Sequence, residues 1–259
     1  MNIVVFVKEV PDTESRIRVK GGAVDLSEVK FIAGPYDEYA VEEALRIRDA
    51  AGGKVTLICY GEQRAGKTLN SELAKGADEL ILVDEYIPDA DPLAVGELLA
   101  RMAQKTGYDL ILCGYKGTDM DNACAGIIAA QRLGLPHVAY AVKIELAPDL
   151  KSTTVHRAVE GSIEVCYVPL PAVITCQKGL NEPRYAKLTG IMQAKKKPHH
   201  EKKLADYGLN PAEMRSRSKV EYTAFLPPPT KEPGKILEGD DAAKVQQLIK
   251  HLVEDEKVL

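Results

Sequence analysis

Cysteine is sparse in this chain and nowhere paired: Cys59, Cys113, Cys124, Cys166 and Cys176 lie singly, odd in number and without a CxxC. A disulfide framework or a thiolate metal cage needs matched spacing, so both readings fall behind a simpler one. Four of the five sit in or beside apolar strand-like runs, as buried reduced thiols of a cytoplasmic protein do. Long apolar runs are missing as well. No stretch approaches the ~18 residues of a membrane-crossing helix, so direct membrane insertion is not expected. Met1 to Lys8 has no basic segment before its apolar residues and no small-residue cleavage site after them, and reads as a first strand rather than a signal peptide. Nor is there an excess of one charge. The 34 basic and 38 acidic residues leave a net charge of −4, so no global field draws the chain to nucleic acid or an anionic surface. GxSxG and HExxH are absent, and the neighbouring pair His199 and His200 lies in a lysine-rich stretch; hydrolase and metalloenzyme readings lose weight accordingly.

What the sequence does contain is an alternation. Ile3 to Val7, Val55 to Cys59, Leu80 to Val83 and Leu110 to Cys113 are continuous apolar runs of strand length, the pattern of parallel strands buried on both faces. Helical stripes separate them. Ala40, Val41, Ala44, Leu45 and Ala51 follow a turn at Pro35 to Glu38 and precede Gly52-Gly53. Val95, Leu98, Leu99, Met102 and Ala103 repeat at helical spacing between Pro92 and Gly107. The fold class predicted is α/β, a Rossmann-like parallel sheet with helices on both faces.

Beyond about residue 140 the pattern becomes short β runs, Val142 to Leu146, Thr153 to Ala158, Ile163 to Val168 and Ala172 to Cys176, expected as antiparallel additions at the sheet edge. From Lys195 a polar, proline-bearing stretch through Pro227-Pro228-Pro229 reads as an extended arm. It closes on an amphipathic helix, Asp241 to Glu254, whose stripe of Ala242, Val245, Leu248, Ile249, Leu252 and Val253 has to be covered by its own domain or by another chain.

Chemistry concentrates after the fourth strand, at Gly114, Tyr115, Lys116, Gly117, Thr118, Asp119, Met120, Asp121, Asn122, Ala123, Cys124, Ala125 and Gly126. A glycine-punctuated loop between a parallel strand and a helix lies at the carboxyl edge of the sheet and points backbone amides at a ligand, which suits a phosphate. Asp121 or Asn122 is positioned to cap the helix, and Ala123, Ala125 and Gly126 are small enough for close approach. The same string also serves as an ordinary turn and cap. Asp119 and Asp121 can chelate Mg²⁺, but capping is their commoner use, and no metal site is assigned.

Val4 to Pro11, then Pro35-Tyr36-Asp37-Glu38-Tyr39-Ala40-Val41-Glu42-Glu43-Ala44, and above all Leu180 through Lys197, resemble electron transfer flavoprotein beta subunits along essentially the whole chain. The resemblance implies a heterodimer with an alpha subunit that holds most of a redox FAD, and a structural AMP in this subunit. Phe6, Val7, Lys8, Gly34, Pro35, Tyr36, Asp37, Tyr60 and the loop from Gly114 to Ala125 would line the nucleotide site. Leu188, Ile191 and Met192, in a recognition loop over residues 184–194, would dock an acyl-CoA-type dehydrogenase, with a membrane quinone oxidoreductase as a downstream acceptor. On this division residues 1–194 form the nucleotide-binding domain, and residues 195–259 an arm that packs on the alpha subunit.

Two departures bear on the nucleotide. Cys124-Ala125 stands where the family carries Gln-Thr or Gln-Val, and Gly117-Thr118 where Ala-Ile is common, so two side-chain hydrogen bonds to phosphate are lacking. Pro11-Asp12-Thr13 resembles the electron-bifurcating branch, in which a second FAD replaces AMP and NADH is the donor. On fold alone, a non-redox nucleotide-sensing or nucleotide-hydrolysing domain is a further alternative.

Overall fold

The computed structural model describes residues 1–88, 90–231 and 233–258. Its elements begin with β1 (Asn2–Phe6), β2 (Glu9–Pro11), β3 (Arg18–Lys20), β4 (Ala23–Asp25), β5 (Phe31–Ala33), α1 (Pro35–Ala51) and β6 (Lys54–Tyr60). There follow α2 (Ala65–Thr68), α3 (Asn70–Lys75), β7 (Glu79–Val83), α4 (Pro92–Thr106), β8 (Leu110–Gly114) and α5 (Ala125–Leu133). Next come β9 (His137–Leu146), β10 (Ser152–Val159), β11 (Ser162–Pro169), β12 (Val173–Cys176), α6 (Leu188–Ala194) and β13 (His199–Lys202). A 3-10 turn (Leu204–Tyr207), α7 (Pro211–Arg217), α8 (Asp241–Lys250) and a π turn (His251–Asp255) complete the chain.

Nine strands form one sheet in the order β11-β10-β9-β12-β8-β1-β6-β7-β13. From β9 to β13 every neighbouring pair is parallel, and β10 and β11 are added antiparallel outside β9. Two short antiparallel ribbons, β2 with β5 and β3 with β4, stand apart from it. One face of the sheet is covered by α1, α2 and α3, with Ala40, Val41, Ala44, Leu45, Leu69 and Leu73 packed on alternate residues of the strands. The other is covered by α4, α5 and α7, through Leu98, Met102, Ala129, Ala130 and Met214. The doubly covered parallel sheet agrees with the expected class.

Local chemistry explains where the helices start and stop. Pro35 and Pro92 occupy first-turn positions where a missing N–H costs nothing, and Asp91 caps α4 by accepting from the amides of Leu93 and Ala94. Gly52 and Gly107 end α1 and α4 at φ 73° and 80°, a region that penalises a β-carbon.

Two expectations from sequence change. Val173–Cys176 is not an antiparallel addition: β12 lies inside the sheet, parallel to both β8 and β9, and all four residues are buried. The arm does not start at Lys195. His199–Lys202 hydrogen-bonds in parallel to β7 as an edge strand, and the compact unit runs to Phe225. The second unit begins at Leu226. Within it α8 is capped by Asp240 and runs on into the π turn His251–Asp255, and no further helix or strand is present among the described residues of that unit to cover its stripe.

Candidate functional site

β1 and β8 are neighbours in the sheet, yet the chain leaves β1 toward β6 and β7 on one side and leaves β8 toward β9 and β12 on the other. That makes the gap beyond their carboxyl ends a topological switch point, where open α/β sheets take ligands. Phe6 ends β1 and Val7 follows it, with their side chains in opposite core layers, so they shape the floor of the gap rather than reach into it.

Asp37, in the first turn of α1, fills the deepest part. Its Oδ2 accepts from the Lys8 amide (2.8 Å) and its Oδ1 from the Gly114 amide (3.0 Å). A β-carbon at Gly34 or at Gly114 would collide with one of these oxygens, so glycine is required at both positions. Burial pushes the Asp37 carboxyl up to about 7, against the pull of the two amides, which favour the charged form.

The loop after β8 closes on itself with charge. Lys8 pairs with Asp119 at 2.5 Å and Lys116 with Asp121 at 2.7 Å. Neither Asp121 nor Asn122 caps α5, contrary to expectation; the cap position is Cys124, whose thiol donates to the Asn122 carbonyl. Asp121 and Ala123 adopt φ of 53° and 51°, a left-handed conformation costly for residues with a β-carbon. Gly126 serves packing, since a β-carbon there would strike the Cys113 sulfur at 2.5 Å.

These facts decide where an anion fits. At the β1 and β8 ends the amides of Lys8 and Gly114 already hold Asp37, and both lysines hold aspartates. At α5 the first-turn amides have no side-chain partner and the turn itself carries no acidic residue, an arrangement that suits a phosphate. The Thr118 hydroxyl in the same loop is buried without a hydrogen-bond partner, a cost of about 1–3 kcal/mol. The residues therefore fit one phosphate at the α5 end of the loop.

Of the remaining predicted residues, Pro35 opens α1 and Tyr36 meets Tyr115 edge to face at 4.4 Å. Tyr60 is committed elsewhere: its hydroxyl accepts from the Ile87 amide (2.8 Å), and burial pushes its ionisation up to about 12. Met120 is half-buried in the loop. Sequence reasoning missed Tyr140, whose ring centre lies 5.1 Å from that of Tyr115. It stands at φ 62° where the β9–β12 register shifts, its amide donating to the Thr175 hydroxyl. Nothing in its sequence neighbourhood signals that conformation.

The Leu180 to Lys197 segment is held at both ends. Arg184 clamps buried Glu42 of α1 through Nε (2.8 Å), Nη2 (3.0 Å) and its own amide (3.1 Å), and reaches Asp49 with Nη1. Asn181 donates to Glu43 and to the Tyr39 carbonyl, and burial raises the Glu43 carboxyl. At the far end Lys197 Nζ donates to the carbonyls of Leu73 (2.8 Å) and Ala77 (2.6 Å). Between these anchors the expected loop contains a two-turn helix, α6, whose Gly190 packs directly against the Ala74 carbonyl. Leu188, Ile191 and Met192, at i, i+3 and i+4, share one face and are 75%, 47% and 65% exposed. Tyr185, not singled out from sequence, is 94% exposed beside them.

All five cysteines are free, and Cys59, Cys113 and Cys176 are buried; burial raises all three thiols, Cys59 to about 12. No helix among the described residues is long and apolar enough to cross a membrane.

The electron transfer flavoprotein domain family matches residues 22–207. The chain is 34% identical over 261 residues to electron transfer flavoprotein subunit beta of Bacillus subtilis, covering both sequences in full. It is 40% identical over 216 residues to the subunit of that name from Bradyrhizobium diazoefficiens, covering 81% of this chain and 84% of the relative. It is 37% identical over 254 residues to the caffeyl-CoA reductase-Etf complex subunit CarD of Acetobacterium woodii, covering 95% of each.

Proposed function

The chain belongs to the electron transfer flavoprotein family, and from that membership we propose that it is the beta half of a heterodimer that carries electrons between other proteins without transforming a substrate. FAD, shared with the alpha subunit, supplies the one- and two-electron chemistry when bound. This chain's residues do two other things. They hold a structural AMP at the carboxyl edge, its phosphate on the first-turn amides of α5 beside Thr118, and they present a docking face to the electron donor. With Cys124 and Ala125 at the helix start, the phosphate depends on backbone amides.

The observation that carries the reading is the segment from Leu180 to Lys197. Its anchors are polar and rigid, whereas its apolar side chains face solvent on α6. An exposed cluster of leucine, isoleucine and methionine on a fixed base is a small hot spot, suited to brief capture of an acyl-CoA-type dehydrogenase. A quinone oxidoreductase at the membrane is the proposed acceptor, the protein itself working in the cytoplasm. The arm from Leu226, with α8 and its uncovered stripe, is proposed to pack on the alpha subunit.

A second reading is a bifurcating beta subunit, with a second FAD in place of AMP and NADH as donor. Its support is the likeness to a relative named for a caffeyl-CoA reductase-Etf complex. Pro11-Asp12-Thr13 lends it less, because Asp12 is occupied locally, accepting from the Glu14 amide and pairing with Lys30 where β2 turns away.

Coexpression with the alpha subunit, release of nucleotides by denaturation and chromatographic counting tests both. One FAD with one AMP per heterodimer supports the shuttle. Two FAD and no AMP supports bifurcation. A heterodimer devoid of flavin returns the protein to the non-redox nucleotide-binding class.

A further inference from the structure

Asp91 does more than cap α4. It is buried, and while its Oδ1 accepts from Leu93 and Ala94, its Oδ2 accepts from the backbone amides of Lys219 (2.6 Å) and Val220 (3.1 Å). Its own amide donates to the Ser218 hydroxyl at 3.0 Å. Burial pushes the Asp91 carboxyl up, but the four amides together outweigh it and hold the group below the usual carboxylate range. One side chain thus ties the start of α4 to a segment that follows α7.

From this latch residues 218–225 run on without helix or strand. The Tyr222 hydroxyl accepts from Asn122 Nδ2 at 3.3 Å, and the Phe225 amide donates to the Gly22 carbonyl at 2.8 Å. Between these two ties the Tyr222 and Phe225 rings stack, 6.1 Å apart and 15° from parallel. Asp91 lies in the connection that leaves β7, Asn122 in the one that leaves β8, and Gly22 in the β3–β4 turn, on the connection that leaves β1. All three are exits from the carboxyl edge, on both sides of the gap between β8 and β1, so a chain tied to them passes over that edge. Val220 and Tyr222 are exposed and Phe225 is half-buried. Hydrogen bonds, not core packing, hold the segment down, and such a segment opens locally while the core stays folded.

Given the nucleotide proposed for this edge, on which the assignment rests, we infer that residues 218–225 are a strap closing the outer side of the nucleotide site, with Asp91 as its latch. Asp91 faces α5 as well: burial, and after it the Asp91 charge, raise the Cys124 thiol at the cap position of that helix. With the strap closed, four amides offset this charge. With the strap lifted the Lys219 and Val220 amides leave, and the carboxylate repels a phosphate held on the α5 amides. Closure therefore retains the nucleotide both by blocking its exit and by shielding it from Asp91.

The test is to lock the strap. A β-carbon at Gly22 would stand 3.7 Å from that of Ala224, within disulfide reach, so Gly22→Cys with Ala224→Cys should cross-link the strap to the β3–β4 ribbon. The five native cysteines are free. The full-length variant, coexpressed with the alpha subunit and loaded with radiolabelled AMP, is diluted into excess unlabelled AMP. Retained label is followed with the cross-link formed and again after its reduction. Exchange should be about tenfold slower, or more, in the cross-linked form. Both forms carry the same cysteine at position 22, where φ is 79°, so its strain cancels. Conversely, Tyr222→Phe with Phe225→Pro removes the two outer hydrogen bonds and should speed exchange about tenfold. Equal exchange from the cross-linked and reduced forms, parental exchange from the second variant, or cysteines that fail to pair would each overturn the strap and leave the nucleotide reading standing. A parent heterodimer that takes up no AMP overturns that reading, and the strap with it.

Discussion

Asp37 is hydrogen-bonded to the backbone amide of Gly114 at 3.0 Å, across 77 residues of sequence, while its second oxygen holds the amide of Lys8. One carboxylate thereby joins the start of α1 to the ends of two adjacent strands, at the point where the sheet changes winding direction.

The pH dependence of this clamp follows from its burial. The folded-state value of about 7 lies above the ordinary 3.8, so below about pH 4 the group is protonated in both states and its contribution is fully present. As pH rises toward 7 the unfolded chain ionises first, and stability is lost at about 1.4 kcal/mol per pH unit. Asp37→Asn removes that slope. Urea unfolding of both proteins between pH 5 and 7 should show the parent losing its advantage, or widening its deficit, by about 2–3 kcal/mol; parallel curves would refute the assignment.

Arg184→Ala should lower stability by about 2 kcal/mol, since it strands the buried Glu42 carboxylate, with some relief because Arg184 is itself about one-third exposed. Glu42→Gln with Arg184→Ala should recover part of the loss. Denaturant midpoints measure both, and a single variant as stable as the parent contradicts the anchoring role.

Leu188→Ala removes a side chain that is 75% exposed, so folding and flavin content should be unchanged while electron transfer from the dehydrogenase slows, by about tenfold if Leu188 is a hot spot. Stopped-flow reduction of the heterodimer by its dehydrogenase is the measurement. Transfer at the parental rate would remove α6 from the docking face.

Deleting residues 227–259 should leave the first unit folded, because that unit has its own two-layer core, and should weaken pairing with the alpha subunit. Circular dichroism checks the first part. Size-exclusion chromatography checks the second, and an undiminished heterodimer would free the arm from any part in pairing.

Much of this was legible from pattern, and the gaps have physical causes. α4 announced itself because Pro92, a regular apolar stripe and Gly107 all agree. β12 was misread because a four-residue strand states its burial and not its direction; what makes it parallel is the chain path through β8 and β9. β13 escaped because His199-His200-Glu201-Lys202 is polar, and as an edge strand it needs backbone hydrogen bonds from β7 more than a core face. The loop after β8 was placed correctly at the carboxyl edge, but the Lys8–Asp119 ion pair and the turned-back Tyr140, whose amide meets Thr175, depend on residues far apart in sequence.

The steric demand around Asp37 also has a meaning for descent. A lineage that places a β-carbon at position 34 must give up the carboxylate at 37, whereas position 114 is bound to glycine in either case, because a β-carbon there also strikes the backbone of Tyr36 and Asp37. Among relatives positions 34 and 37 should therefore be inherited together, with glycine at 114 throughout, and a form with a different residue at 37 is the one free to admit a ligand oxygen between the two strand ends.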